Sequence, residues 1–433
     1  LNILAIIVKS TAALDYVTPV LWKLKREHPD ANVSVLYCRV SRRQILRSAT
    51  FYSRVFQQSG IQEWDFADFL VPPFRLVKPW LRFLRHSHSD VNSVGGRAGP
   101  ASLWRRGHDW LGRFLEGRVC RSEILERLHP DCILLDHTAS ATSQVREFCA
   151  GYVASKRCRV VLLPHAPHHA EPVAFVPARL LNDGEVLPDC CDFWMPFLHE
   201  RTWEAVPARR DQFAYIGYPG LDAEWLDYLT AKRKRQASKK KLRCLFVIRR
   251  YLEEGVERGS GDNEYVYSNE EFVRYVRLLK EAVRQSSVPV EVVVKPHPSN
   301  SFPAVKRTLC QCGAADWQIS YEPVYALLTT TDFVVSLYST VFFVTSMAGI
   351  PAIVLRTSTQ EVVNRWDRMA ALYSGFSRYV ENPDDLPGVV VDLVRRRQAG
   401  RDVTGADIAH LREYYPDGAL GRALDAIAIV QQS

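Results

Sequence analysis

Cysteine is scarce in this chain, with ten residues in 433, no CxxC pair and no Cys/His cluster at zinc spacing. Cys190 and Cys191 are adjacent, and Cys310 and Cys312 are one residue apart, so neither a disulfide scaffold nor a zinc ribbon is encoded. Free thiols in a reducing cytoplasm are the expectation. Long apolar runs are also missing: no stretch approaches the ~18 to 20 apolar residues that a spanning helix needs. The opening LNILAIIVKS has no basic segment before its short apolar run and no small-residue cleavage site, and it reads as a buried strand rather than a signal. A DxD motif flanked by small apolar residues is absent too. Asp65-Phe-Ala-Asp68 and Asp222-Ala-Glu224 read as turns or caps, so no metal is expected at a diphosphate.

What is present is ordinary globular material, 47% hydrophobic and 24% charged, long enough for two domains. Lys and Arg number 56 against 48 Asp and Glu, a formal charge of +8. The run KRKRQASKKKLR, Lys232 to Arg243, holds eight basic residues in twelve and so equals the whole excess. Like-charge blocks resist packing, and this one has none of the interleaved aromatics that stack nucleobases. It reads as a solvated linker, and nucleic acid is not expected as a partner.

Apolar runs alternate with helical patterns on both sides of that linker, the signature of βαβ units and parallel sheets. Strands are expected at Ile3 to Val8, Asn32 to Tyr37, Cys132 to Leu135 and Arg159 to Leu163, then at Cys244 to Ile248, Val290 to Val294, Phe333 to Ser336 and Ala352 to Leu355. Helices are expected after Ala12, over Thr138 to Cys149, Asn269 to Gln285 and Val341 to Ala348. The fold class is α/β, with two Rossmann-like domains, 1–231 and 232–433. Interrupting the first is an insertion, about 69–128, in which Leu103, Trp104, Trp110, Leu111, Phe114 and Leu115 recur at helical spacing. Between Arg75 and Arg127, eleven Arg or Lys face five Asp or Glu. Two readings stay open: an interfacial contact with an anionic membrane, or a stripe packed on the domain core.

The most specific chemistry lies in the second half. Val292-Val293-Val294-Lys295-Pro296-His297-Pro298 is a β-branched strand that stops at a proline-flanked histidine, which puts the imidazole at the carboxyl edge of a parallel sheet, where ligands bind. Further on, Ser336-Leu337-Tyr338-Ser339-Thr340 ends another strand and opens a helix whose first N–H groups favour an anion. Arg249 and Arg250 follow a third strand to the same edge. Read as a phosphate site, Arg249, Lys295, His297, Pro298, Ser336, Ser339 and Thr340 converge on one ligand. Read blandly, they are a helix cap, a turn histidine and surface arginines.

In the first half His165 follows the strand Arg159 to Leu163 and belongs to a group with His168, His169 and Glu171. Pro167 blocks a helix there, so the zincin arrangement is excluded and a general base, or a loop histidine bonded to backbone, remains. Asp136 and His137 end the preceding strand and form the reserve candidates.

The strand-KPHP element, followed after roughly thirty-five residues by DFVVSLYSTVFF and closed by GIP, resembles the C-terminal domain of bacterial surface-polymer transferases of the GT-B fold. These are the CDP-glycerol glycerophosphotransferases, the capsule Kdo transferases and the bacterial sialyltransferases. Tyr215-Ile-Gly-Tyr-Pro-Gly-Leu-Asp222 and Leu163-Pro-His165-Ala-Pro resemble elements of their N-terminal domains. The resemblance implies a cleft between the domains, with the nucleotide on His297-Pro298 and Ser339-Thr340 and a catalytic histidine at His165. It further implies a metal-independent glycosyl or polyol-phosphate transferase that needs no cofactor. The donor is a nucleotide-sugar, expected to be cytidine-linked; the acceptor is a glycan or lipid-linked glycan; the location is cytoplasmic, peripheral on the inner membrane face. Ser336-Leu337 stands where the glycerophosphotransferases usually carry Asp, and Asn182-Asp183-Gly184 lacks the first acid of the sialyltransferase motif. The alternatives are a UDP-sugar epimerase of the same fold, disfavoured by the few acids expected at the strand ends, and a non-catalytic nucleotide- or RNA-binding protein.

Overall fold

The computed structural model describes residues 1–7, 13–37, 50–69, 123–136, 152, 158–163, 191–195, 213–231, 241–249, 251, 268–297, 300–337, 339, 341–356, 378–399, 411–412 and 415–429. Two compact units result, each built on one parallel sheet.

The first sheet comprises β1 (Asn2–Ile7), β2 (Asn32–Tyr37), β3 (Gln62–Asp65), β4 (Cys132–Asp136), β5 (Arg159–Leu163), β6 (Cys191–Met195) and β7 (Phe213–Tyr215), in the order β3-β2-β1-β4-β5-β6-β7. Every pairing is parallel. Ile3 to Ile7 are all buried, without the alternation of a half-exposed strand, as a sheet covered on both faces requires. Helices α1 (Leu14–Glu27), α2 (Thr50–Ser59), α3 (Glu123–Leu128) and α4 (Ala223–Thr230) belong to this half of the chain. Trp22 of α1 meets Trp225 of α4 with ring centroids 5.4 Å apart. Lys23 and Arg26 of α1 reach the Glu224 carboxylate at 2.6 and 2.7 Å.

The second sheet comprises β8 (Leu242–Val247), β9 (Val290–Lys295), β10 (Gln318–Ile319), β11 (Phe333–Leu337), β12 (Ala352–Leu355) and β13 (Arg378–Val380), again wholly parallel, in the order β10-β9-β8-β11-β12-β13. With it go α5 (Asn269–Gln285), α6 (Phe302–Gln311), α7 (Val324–Leu328), α8 (Val341–Met347) and α9 (Leu386–Gln398). Helix α5 starts at a capping box, in which Ser268 Oγ accepts from the Glu271 N–H while Glu271 accepts from the Ser268 N–H. Its apolar residues Phe272, Tyr275, Val276, Leu279 and Ala282 follow helical spacing and join Cys244, Phe246, Val292, Val294, Phe333, Val335 and Leu337 in one core. Truncating a side chain as buried as Leu279 to Ala costs ~2 to 5 kcal/mol.

The last helix, α10 (Ala419–Ile429), returns to the first unit. Buried Asp222 holds both chain passages there: one carboxylate oxygen accepts from the Glu224 N–H at 2.9 Å, at the start of α4, and the other from the Leu420 N–H at 3.1 Å, at the start of α10. Arg422 adds a bond to the Ile216 carbonyl at 3.0 Å. Gly217 has φ +81° beside this guanidinium, a left-handed conformation that favours glycine. The described residues of the first unit therefore include the C-terminal helix, and those of the second begin at Leu226.

The strands expected from sequence are present to within two residues at each end. Of the insertion, only its two ends are described: Phe69 packs against Trp64 with centroids 5.5 Å apart, and the Arg127 guanidinium lies 5.5 Å over the Phe69 ring. Trp104, Trp110 and the other stripe residues, the helix expected over 138–149 and the basic run up to Lys240 lie outside the described residues. No described helix is long and apolar enough to cross a membrane.

Candidate active site

In each sheet the chain order reverses once, between β1 and β4 in the first and between β8 and β11 in the second. The helices that follow the two strands leave in opposite directions at such a point, and the crevice opened beyond the carboxyl ends is the common ligand position of open α/β sheets.

At the second switch point β8 runs into Arg249 and β11 into Ser339. The β8–β9 ladder extends one residue past the strands, because the Ile248 N–H donates to the Lys295 carbonyl at 3.1 Å. Arg249 and Lys295 emerge half-buried from neighbouring strands, and His297, two residues beyond β9, is exposed. Ser339 is half-buried; its Oγ accepts from the Val341 N–H at 3.3 Å and its carbonyl from the Phe342 N–H at 3.2 Å, so it caps α8 as its place in the sequence implies. The first turn of α8 has no acidic residue to repel an anion.

Ser336 is placed differently from its neighbours. Phe333, Val335 and Leu337 face the α5 core, so strand alternation turns Ser336 to the opposite face. It is fully buried in the layer, and its hydroxyl donates to the Leu337 carbonyl. Pro298 and Thr340 lie outside the described residues.

Asn300 escaped the sequence reading. It is 7% exposed and joins the loops that carry Arg249 and His297. Its carboxamide nitrogen donates to the Arg249 carbonyl at 2.9 Å, and its oxygen accepts from the Tyr251 N–H at 3.3 Å. Its own N–H donates to the His297 carbonyl at 2.9 Å, and its carbonyl accepts from the Tyr321 hydroxyl at 2.7 Å. Burial, and then the neighbouring Tyr251, push the Tyr321 phenol up to about 12, so it stays a donor at neutral pH. The only local signal was the N-cap serine, Ser301, whose Oγ accepts from the Ala304 N–H at 3.3 Å just after Asn300.

In the first unit Asp136 is the last residue of β4, beside the switch point and in register with Leu163 of β5. His165 and His137 lie outside the described residues. Other acids also gather at this edge. Asp65 closes β3 opposite Tyr37, with its N–H donating to the Asp68 carboxylate at 3.0 Å. Glu63 accepts from the Tyr37 and Ser53 hydroxyls at 2.8 and 2.9 Å, and Asp15, in the first turn of α1, accepts from the Tyr52 hydroxyl. The expected poverty of acids at the strand ends is thus corrected: two strands of this sheet finish on aspartate, Asp65 and Asp136. Among the described residues, no group of three His, Cys, Asp or Glu is arranged to hold a metal ion.

No protein-family model matches the chain, and no curated protein matches its sequence. Solved structures match its fold. A UDP-GlcNAc 2-epimerase from Neisseria meningitidis, bound to UDP-GlcNAc, superposes with a TM-score of 0.52 at 12% identity over 100% of both chains. A second UDP-N-acetylglucosamine 2-epimerase gives 0.51 at 13% identity, over 99% of this chain and 95% of that one. A glycosyltransferase from Rickettsia africae aligns with a TM-score of 0.48 at 9% identity, over 99% of this chain and 97% of that one. Neither of the two epimerases is a CDP-glycerol or Kdo transferase. At such identities the likeness is one of architecture, and with two α/β units on parallel sheets of reversed strand order, the chain has the GT-B fold.

Proposed function

We propose that this chain is an enzyme acting on a nucleotide-activated sugar, and that it interconverts a UDP-linked sugar rather than transferring from a cytidine-linked donor. The observation that supports the nucleotide reading is that Arg249, His297 and the Ser339 cap follow the carboxyl ends of three adjacent strands, β8, β9 and β11. A guanidinium, an imidazole and a serine hydroxyl are donors suited to a diphosphate, bound through charge-assisted hydrogen bonds without a metal. The uridine and epimerase parts of the reading are supported by the fold neighbours, two of which are UDP-N-acetylglucosamine 2-epimerases, one of them bound to its UDP-sugar. The aspartates at the carboxyl edge of the first sheet add to that support. Inverting the hydrogen-bearing carbon next to the anomeric centre by proton exchange balances if the C–H electron pair expels the neighbouring UDP, which adds back as a proton returns to the opposite face. This calls for a base and an acid in the sugar site. Asp136 is our candidate for one of these groups, and His165 for the other.

Transfer to a glycan acceptor is the second reading, favoured by the KPHP and SLYST elements that resemble the cytidine-dependent enzymes. One experiment separates the two. The chain is incubated in D₂O with UDP-GlcNAc, without acceptor, and the product is followed by NMR. An epimer carrying deuterium at the inverted carbon is the expected outcome. Release of free nucleotide only when an acceptor is added, and from a CMP- or CDP-linked donor, would establish transfer instead.

A further inference from the structure

We propose that Asn300 is the positioning residue of the nucleotide site, holding the Arg249 loop in fixed relation to the His297 loop. The inference rests on reading the second switch point as that site. Strands β8 and β9 are neighbours in register, Val247 opposite Lys295, but beyond Ile248 the ladder stops and the two loops are free to diverge. Asn300 restores the pairing with its side chain. Donating to the Arg249 carbonyl and accepting from the Tyr251 N–H two residues on, the carboxamide makes the two bonds that a strand's own peptide group would make. Its backbone meanwhile binds the His297 carbonyl and the Tyr321 hydroxyl. It is the only carboxamide buried among the described residues, and a carboxamide donates from its nitrogen and accepts at its oxygen at once, without charge. Arg249 and His297 sit on either side of this brace, so a ligand bridging them requires both loops at one spacing, and a displacement of about 1 Å in either weakens the bridge.

The test is a double-mutant cycle on the full chain, with UDP as the probe and calorimetry as the readout. Asn300→Ala is expected to lower UDP affinity about tenfold, the worth of one or two lost hydrogen bonds. Because Asn300 acts through the arginine loop, its effect should fall to less than threefold in an Arg249→Ala background. A purely structural effect would multiply with that of Arg249→Ala, and an additive cycle therefore overturns the proposal. Asn300→Asp is the milder variant should Asn300→Ala fail to fold: it keeps the acceptor for Tyr251 and loses the donor to Arg249. Wild-type affinity for UDP in folded Asn300→Asp or Asn300→Ala, with Arg249→Ala impaired, likewise overturns it. If Arg249→Ala and His297→Ala both bind UDP as the wild type does, the phosphate-site reading itself falls, a result distinct from failure of the brace.

Discussion

The two sheets wind the same strand order, 3-2-1-4-5-6, extended by β7 in the first, yet their carboxyl edges present opposite chemistry. The first ends β3 and β4 on Asp65 and Asp136 and has Asp15 in the turn that opens α1. The second sends Arg249 and His297 out of β8 and β9 and opens α8 on Ser339 with no acid in its first turn. Topology makes both edges available to a ligand, and the side chains decide what each can hold. An edge with cationic side chains and hydroxyl donors takes anions, whereas one with carboxylates repels them and is suited to moving protons. On our reading the division of labour follows: nucleotide binding in the second unit, sugar chemistry in the first.

Four measurements test that division, from the largest expected effect to the smallest. Asp136→Asn should reduce turnover by ~10² to 10⁴ while UDP affinity stays within about twofold, since the loss of a proton carrier falls on the transition state. His165→Ala is its companion. If turnover collapses only in the histidine variant, the proton chemistry rests on His165 and the comparison of the two edges loses its acidic half.

His297→Ala and Arg249→Ala should each weaken UDP binding by ~10- to 100-fold, the range for a charge-assisted hydrogen bond to phosphate, without moving the thermal midpoint by more than a few degrees. Calorimetry beside thermal unfolding decides this. A loss of similar size on mutating Asp65, which lies on the acidic edge, would erase the distinction between the units.

Asp222→Ala should cost about 2 to 3 kcal/mol in denaturant unfolding, because one buried carboxylate caps both α4 and α10. UDP affinity should be unaffected in the folded fraction, which makes this variant a structural control for Asn300. The smallest effect concerns the Asp392 carboxylate, held below its usual range chiefly by its hydrogen bond to Arg378 at 2.7 Å. A lowered folded-state pKa means that the pair contributes stability above the ordinary aspartate range, and that this contribution is lost as the pH falls through the folded value. Arg378→Gln should therefore remove a small part of the acid dependence of unfolding below about pH 4, worth under ~1 kcal/mol for so exposed a pair. Unchanged acid dependence would mean that the bridge contributes nothing in solution.

Much of the fold was legible because it is written in local pattern. A β-branched run such as Val292 to Val294, buried on both faces, is unusual outside a parallel sheet, and Ser268 three residues before Glu271 marks the start of α5. His297 could be placed at a sheet edge because Pro296 and Pro298 forbid the strand to continue. Short strands were not legible: β10 has two residues and β13 three, too few for a period to show.

By itself, then, the sequence determined the class of the fold, eight of the strands in the two sheets and the residue types that follow them, since these follow from periodicity and from residues that stop a strand. Only the tertiary structure decided which of them act together. Asn300 meets Tyr251 and Arg249 across 49 and 51 residues, and Asp222 meets Leu420 across 198. Ser336, which the sequence offers to a ligand on the same terms as Ser339, is turned into the layer by strand alternation. Hydrogen bonds between distant segments depend on where packing of the apolar core brings two backbones, and no pattern local to either segment encodes that distance.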